Sequence, residues 1–284
     1  MDVENPALQP SASETPQAAQ PETGRGGLLR KRARSDKPRI HTLDELRGLA
    51  LVAMIVYHTL YDLATMYGMP IGIGTDPWLI AFQRCICCTF ILVSGVSARL
   101  SRNVGRRGCV VFGAAILLTL ATVLFMPDFQ ILFGILHLLG LSMILFAFLR
   151  RPLAHGSPWV WFAVFLLLFI LTFELPQGYV GIPGLIRFVL PQSLYRSEYL
   201  FFLGLPHPSF WSSDYFPLFP WFFLFLAGTS LGRFAEAGRF PAFTYKLRIR
   251  PLAFMGRHSL LIYLAHQPVI YGILLLLSKV FNLF

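Results

Sequence analysis

Four ionisable side chains share one face of an apolar stretch near the start of the chain. At about 100° per residue, Asp44, Arg47, His58 and Asp62 fall within about 80° of one another on a helix. Arg47 and His58 are eleven residues apart, ~16 Å of helical rise, so an arginine at a membrane surface stands above a histidine near mid-depth. Ionisable groups are costly in such a setting, and their presence points to function. His137, His258 and His266 lie in later apolar stretches, and His266 is followed by Gln267 and Pro268. Proline lacks an N–H and frees a backbone carbonyl against which a ligand can lie. Several histidines in one bundle predict a shared polar cavity. Neutral imidazole can act as base, nucleophile or proton relay near neutral pH, and spacing leaves the three open.

Other residues are candidates for binding. If residue 68 faces residue 77 across the first hairpin turn, Asp62 falls opposite Arg84, and His58 falls beside Cys87 and Cys88. An Asp62–Arg84 ion pair is therefore expected, each charge offsetting the other's burial. Asp214 and Tyr215 precede a late apolar segment, where they can meet an external substrate or cap a helix start. Arg84, His137, Asp214 and Tyr215 form the candidate substrate set. Arg102, Arg106 and Arg107 are candidates for phosphate contacts, with topology as the competing role. Cys85, Cys87, Cys88 and Cys109 lie in apolar runs without the spacing of a closed tetrahedral site, so no metal is expected.

These side chains need a frame, and the composition says what kind. Hydrophobic residues make up 55% of the 284 and charged residues 13%, about half the usual charged share of a soluble domain, and mean hydropathy is +0.61. The first 39 residues hold 12 of the 38 charged residues. The rest is poor enough in charge to require lipid as its main solvent. No basic, aromatic-interleaved soluble domain is present to turn the net charge of +10 toward nucleic acid. Residues 1–39 read as a disordered basic tail, and residues 40–284 as one transmembrane domain. Seven apolar segments are long enough to cross ~30 Å of hydrocarbon: 47–67, 77–100, 109–126, 131–149, 158–175, 216–234 and 257–281. The expected fold is an all-α polytopic bundle of about seven helices. The long connection 176–215 is rich in Pro and Gly, and its 185–190 piece is expected as a short interfacial or re-entrant helix. Eighteen Lys and Arg fall on the side of the N-terminus and three on the other, which predicts a cytoplasmic N-terminus.

The segment Asp-Glu-Leu-Arg-Gly-Leu-Ala-Leu-Val-Ala-Met-Ile-Val-Tyr-His (44–58) resembles the opening helix of the heparan-alpha-glucosaminide N-acetyltransferase catalytic family. Its Arg-x10-His spacing is also that of the wider transmembrane acyltransferase superfamily, which includes acyltransferase family 3. Phe-Ile-Leu-Val-Ser-Gly-Val-Ser (90–97), Phe-Gly-Ile-Leu-His-Leu-Leu-Gly (133–140), Ser-Asp-Tyr-Phe-Pro-Leu-Phe-Pro-Trp (213–221) and Gly-Arg-His-Ser-Leu-Leu-Ile-Tyr-Leu-Ala-His-Gln-Pro (256–268) are similar to short bacterial-type members. The resemblance implies an acetyl-CoA-dependent acyltransferase in a bacterial inner membrane. The acetyl or short acyl group passes from cytoplasmic acyl-CoA to an amino sugar or other glycan on the far side. It implies His58, His266 and Asp62 as the catalytic set, and Arg47, Arg102, Arg106 and Arg257 as contacts for CoA. In lysosomal members the position of His58 is asparagine, and the acetyl-accepting histidine lies about three helical turns later. Here that position is near Met69, and no histidine occurs between 59 and 136. His58 therefore resembles the acyltransferase-family-3 placement, which implies a general-base or relay role. A proton-coupled transporter using Asp62, Arg84 and the histidines is the alternative, with no inverted repeat in the sequence to support it.

Overall fold

Within lipid each backbone polar group must be satisfied inside its own segment, so long apolar runs become helices. The computed structural model describes residues 39–281. The expected N-terminal tail lies outside them, Arg39 excepted. The helices are α1 (His41–Tyr67), α2 (Pro77–Leu100), α3 (Val104–Phe125), α4 (Ile135–Leu149), α5 (Pro158–Leu171), α6 (Leu218–Glu236), α7 (Arg250–Arg257) and α8 (Ser259–Phe281). Six of them, α1, α2, α3, α5 (prolonged by turns to Gln177), α6 and α8, are long and apolar enough to cross a membrane.

The fourth expected span, 131–149, is corrected. Its helix begins only at Ile135 and has 15 residues, ~22 Å of rise, too short to cross alone. Gln130–Gly134 enters as extended chain and pairs with the segment before α6. Phe133 bridges Tyr215 in parallel, Phe216 N–H donates to Phe133 O at 2.9 Å, and Ser213 N–H to Gln130 O at 2.9 Å. Two threonines of α3 hold the same strand: Thr119 donates to Ile131 O at 2.6 Å, and Thr122 Oγ1 accepts from Ile131 N–H at 3.1 Å. Irregular chain is tolerated at membrane depth only where its polar groups are satisfied in this way.

The last expected span, 257–281, is α8 to within two residues, and a separate short helix, α7, precedes it with a break at His258. The piece 185–190 is not helical. It forms the second strand of a hairpin, β1 (Tyr179–Ile182) against β2 (Ile186–Val189), turned at Gly184 with φ +78°. A left-handed residue there favours a tight turn over a helix.

The main core lies where α2 crosses α6, with α4 behind them and α5 on the outside of α6. α1 packs on α2, α7 and α8, while α3 packs closely on α4. One end of the bundle is tied by charge. Buried Arg99 donates to Glu236 Oε2 at 2.7 Å, and Arg150 donates to Glu236 Oε1 at 3.2 Å and to Ser101 O at 2.7 Å. The ends of α2, α4 and α6 are thereby fixed together.

Buried Glu45 of α1 plays the same role for α7. Its Oε1 accepts from Arg248 N–H at 2.6 Å and Ile249 N–H at 2.9 Å, the donors at the helix start. Glu45→Ala leaves both without an acceptor, and an expected loss of ~1–2 kcal/mol follows from the usual worth of a helix cap. Denaturation midpoints in detergent check it; an unchanged midpoint contradicts the capping role.

Candidate active site

Helical spacing gathers the polar groups on two faces. His58 and Asp62 are four residues apart on α1, and Tyr263, His266 and Gln267 occupy i, i+3 and i+4 on α8. Packing of α1 on α8 brings the faces together. The rings of His58 and His266 are 4.8 Å apart between centroids. Gln267 Nε2 donates to Asp62 Oδ1 at 2.8 Å, and Asp62 is fully buried.

Hydrogen bonding fixes one tautomer. His266 Nδ1–H donates to Tyr263 O one turn back, so Nε2 carries the lone pair, as neutral imidazole requires. That Nε2, together with His58 Nδ1, Asp62 Oδ2 and Gln267 Oε1, is buried without a partner. Buried polar atoms are normally paired, and four orphans within one pair of helices mark a place built to meet something else. Pro268 adds a further acceptor, since without its N–H the carbonyl of Leu264 loses its helical donor.

These groups line a cavity of about 470 Å³. α1 contributes Tyr57, His58, Tyr61 and Asp62, α2 contributes Gln83, Cys87 and Phe90, and α8 contributes Tyr263, His266 and Gln267. The opposite flank is Leu118, Ala121, Thr122 and Phe125 of α3, with Met126 and Phe129 beyond it. Ser213 and Asp214 enter from the chain before α6. Asp214 caps α4, not α6: its Oδ2 accepts from Ile135 N–H at 3.0 Å and from Tyr263 O–H at 3.3 Å. Gly134 leaves the space for that carboxylate, which stands where a β-carbon would be. This cap explains why α4 begins late.

Burial pushes the Asp214 carboxyl up to about 6, against the opposing pull of the Ile135 N–H and Tyr263 O–H donors. The folded protein then binds more protons than the unfolded chain between 3.8 and about 6. Stability contributed by this group is therefore lost as pH rises through that window. Asp214→Asn keeps the acceptor oxygen and removes the titration, so its thermal midpoint is expected to lose this downward slope. A wild-type and variant pair with parallel midpoint-against-pH curves contradicts the assignment.

Arg47 lies elsewhere. It is buried, 3.8 Å from Asp44, which also binds Arg39 at 2.7 Å. It does not line the histidine cavity: it lines a neighbouring space of about 130 Å³ with Arg107, Ser94 and Ser259. Phe90 and Tyr263 line both spaces and form the wall between them. Arg107, one of the three arginines offered for phosphate contacts, thus joins Arg47. Arg102, Arg106 and Arg257 are exposed and line neither space.

Three substrate candidates have other duties. Arg84 is exposed, with its guanidinium 5.2 Å from the Phe173 ring centre, and makes no ion pair with Asp62. The hairpin register is nearly right, since Gln83 lines the cavity with Asp62. One residue further is about 100° around the helix, which turns Arg84 outward. His137 is satisfied within the fold: Nδ1 accepts from Gly134 N–H at 3.3 Å, Nε2 is 3.2 Å from Thr119 Oγ1, and the ring stacks on Phe133. Tyr215 O–H donates to Phe201 O at 2.6 Å and lines neither space. The transporter alternative loses its Asp62–Arg84 relay by the same geometry. Among the described residues no three His, Cys, Asp or Glu side chains converge as a metal site.

The histidine pair and all of its cavity lining but Tyr271 lie inside a region that matches a known family model, heparan-alpha-glucosaminide N-acetyltransferase, catalytic, over residues 39–268. The chain belongs to this family. Membership makes it a multi-pass membrane protein of an acetyltransferase family, and the matched span holds every helix from α1 into α8 as far as Pro268. His58, Asp62, His266 and Gln267 all fall within it. No curated protein and no solved structure matches the chain.

Proposed function

We propose that the protein moves an acetyl or similar short acyl group from acyl-CoA on the N-terminal, cytoplasmic side to an amino-sugar or other glycan acceptor on the far side. The observation that carries this reading is the His58–His266 pair, rings 4.8 Å apart, with unpartnered ring nitrogens at one cavity. Arg47 and Arg107 in the adjoining space supply positive charge for the phosphates of the donor. Phe90 and Tyr263 stand between donor charge and histidines, where a pantetheine arm would have to part them. The lysine and arginine asymmetry supports the orientation, and the bacterial inner membrane follows from the resemblance to short members.

The chemistry is acyl transfer with a histidine base. The acceptor amine attacks the thioester carbonyl, a C–N bond forms and the C–S bond breaks. His58 takes the amine proton, His266 shares it, and the CoA thiolate leaves to be protonated. Asp62 holds Gln267, and through it the α8 face that carries His266.

Purified protein in liposomes, given radiolabelled acetyl-CoA and a panel of free and alkylated amino sugars, tests the reading. Acetylated acceptor is expected. Absence of acetyl-CoA binding together with absence of His58-dependent turnover overturns it.

A further inference from the structure

The main cavity is divided by chemistry. The orphan polar atoms belong to α1 and α8, whereas α3 presents Leu118, Ala121 and Phe125. Thr122 is the polar exception, and its hydroxyl is already engaged with Leu118 O, Thr119 O and Ile131 N–H. α3 packs on α4 and makes no comparable contact with α1 or α8. The cavity therefore continues outward between α3 and α8. Its rim there is exposed: Ala121, Phe125 at 81%, Pro268, and Tyr271 at 41%. Both helices are long and apolar enough to cross a membrane, and an opening between two such helices gives onto hydrocarbon.

A free sugar fits only half of such a site. Its hydroxyls run round the whole ring, and those turned to α3 would lose water without gaining partners. A molecule with a polar amine end and an apolar tail fits both halves. The tail belongs to the acceptor rather than the donor because the two approach from opposite sides. Donor charge is read at Arg47 and Arg107, behind the Phe90–Tyr263 wall, and a long acyl chain threaded past the histidines would fill the space from which the amine must attack.

We propose that the acceptor is a membrane-resident amphiphile, an amine or amino-sugar headgroup on a hydrocarbon chain, which enters from the bilayer between α3 and α8 with its chain along α3. The proposal rests on the acyl-transfer reading for the headgroup's fate, and on the cavity alone for the tail.

The test uses the full chain in proteoliposomes and has a binding arm and a transfer arm. An alkyl glucosaminide with a diazirine in its chain is photolysed and the labelled peptides are mapped. Labelling at Leu118, Ala121 or Tyr271 is expected, competed by dodecyl glucosaminide but not by glucosamine or palmitoyl-CoA, and reduced at least about tenfold in Ala121→Trp. Labelling confined to the outer face of the helices, or competed by palmitoyl-CoA, overturns the proposal. If Ala121→Trp fails to fold, Ala121→Phe replaces it. In the transfer arm, dodecyl glucosaminide is expected to accept acetyl at least about tenfold faster than glucosamine at matched bulk concentration, as a buried chain favours. Equal rates overturn the proposal. Specific labelling without transfer to any acceptor supports the chain site and removes the acyl-transfer reading, so the two failures are told apart.

Discussion

Replacing His58 by Ala is expected to lower acetyl transfer by ~10²–10⁴-fold, the span that a positioned base contributes. The loss falls on kcat, because His58 does not line the space holding Arg47 and Arg107, and KM for acetyl-CoA stays close to the wild-type value. His266 allows a finer substitution. His266→Asn keeps an N–H at the position of Nδ1, able to donate to Tyr263 O, and deletes the free Nε2. The variant is expected to fold and bind acetyl-CoA while losing most turnover. His266→Ala removes the local hydrogen bond as well and separates positioning from chemistry. Steady-state kinetics in liposomes check the pair: a rise in KM with kcat unchanged contradicts a role for the histidines at the reacting atoms.

The second large effect concerns the α2–α6 crossing. A β-carbon at Gly95 would strike the carbonyl oxygen of Phe225, and one at Gly228 would strike that of Leu92. The two backbones therefore touch, as small residues allow between membrane helices. Gly95→Val is expected to cost at least ~1–3 kcal/mol, the usual cost of overpacking, and more because the obstacle is backbone. Adding Gly228→Val is expected to cost less than its single effect, since helices already forced apart no longer meet. Gly113→Ala is the control, with nothing within 4 Å of the added carbon. Thermal stability followed by size exclusion in detergent checks the series. Equal midpoints for Gly95→Val and Gly113→Ala contradict the close crossing. Cys87 and Phe90 stand on the same α2, so a displaced α2 also opens the wall between the two spaces.

The spans were legible because lipid imposes one rule on every residue of a segment. Positions of α1, α2 and α6 follow from apolar length alone, and the His58–Asp62 face follows from helical period. What failed is what depends on distant chain. Ile131, Leu132 and Phe133 are apolar enough to be helical, yet pairing with the Ser213–Phe216 segment and the Asp214 cap hold them extended. Arg84 missed Asp62 by one position, where one residue turns a side chain from cavity to lipid. His137 looks like His266 in sequence, and only the positions of Thr119 and Gly134 make it a satisfied packing residue. Gln267 had a local signal: it is one residue beyond His266 and four beyond Tyr263, on the face that meets Asp62. Of Arg102, Arg106 and Arg107, nothing local tells that Arg107 alone shares a space with Arg47, since that depends on how α3 stands relative to α1.

The central claim is that the His58–His266 cavity performs acyl transfer from a thioester. Its most direct measurement follows free CoA thiol and acetylated acceptor together, in proteoliposomes holding wild type or His58→Ala at saturating acetyl-CoA. Wild type is expected to release thiol and form product in equal amounts, and His58→Ala to bind acetyl-CoA while forming neither. Product formed by His58→Ala at the wild-type rate contradicts the account.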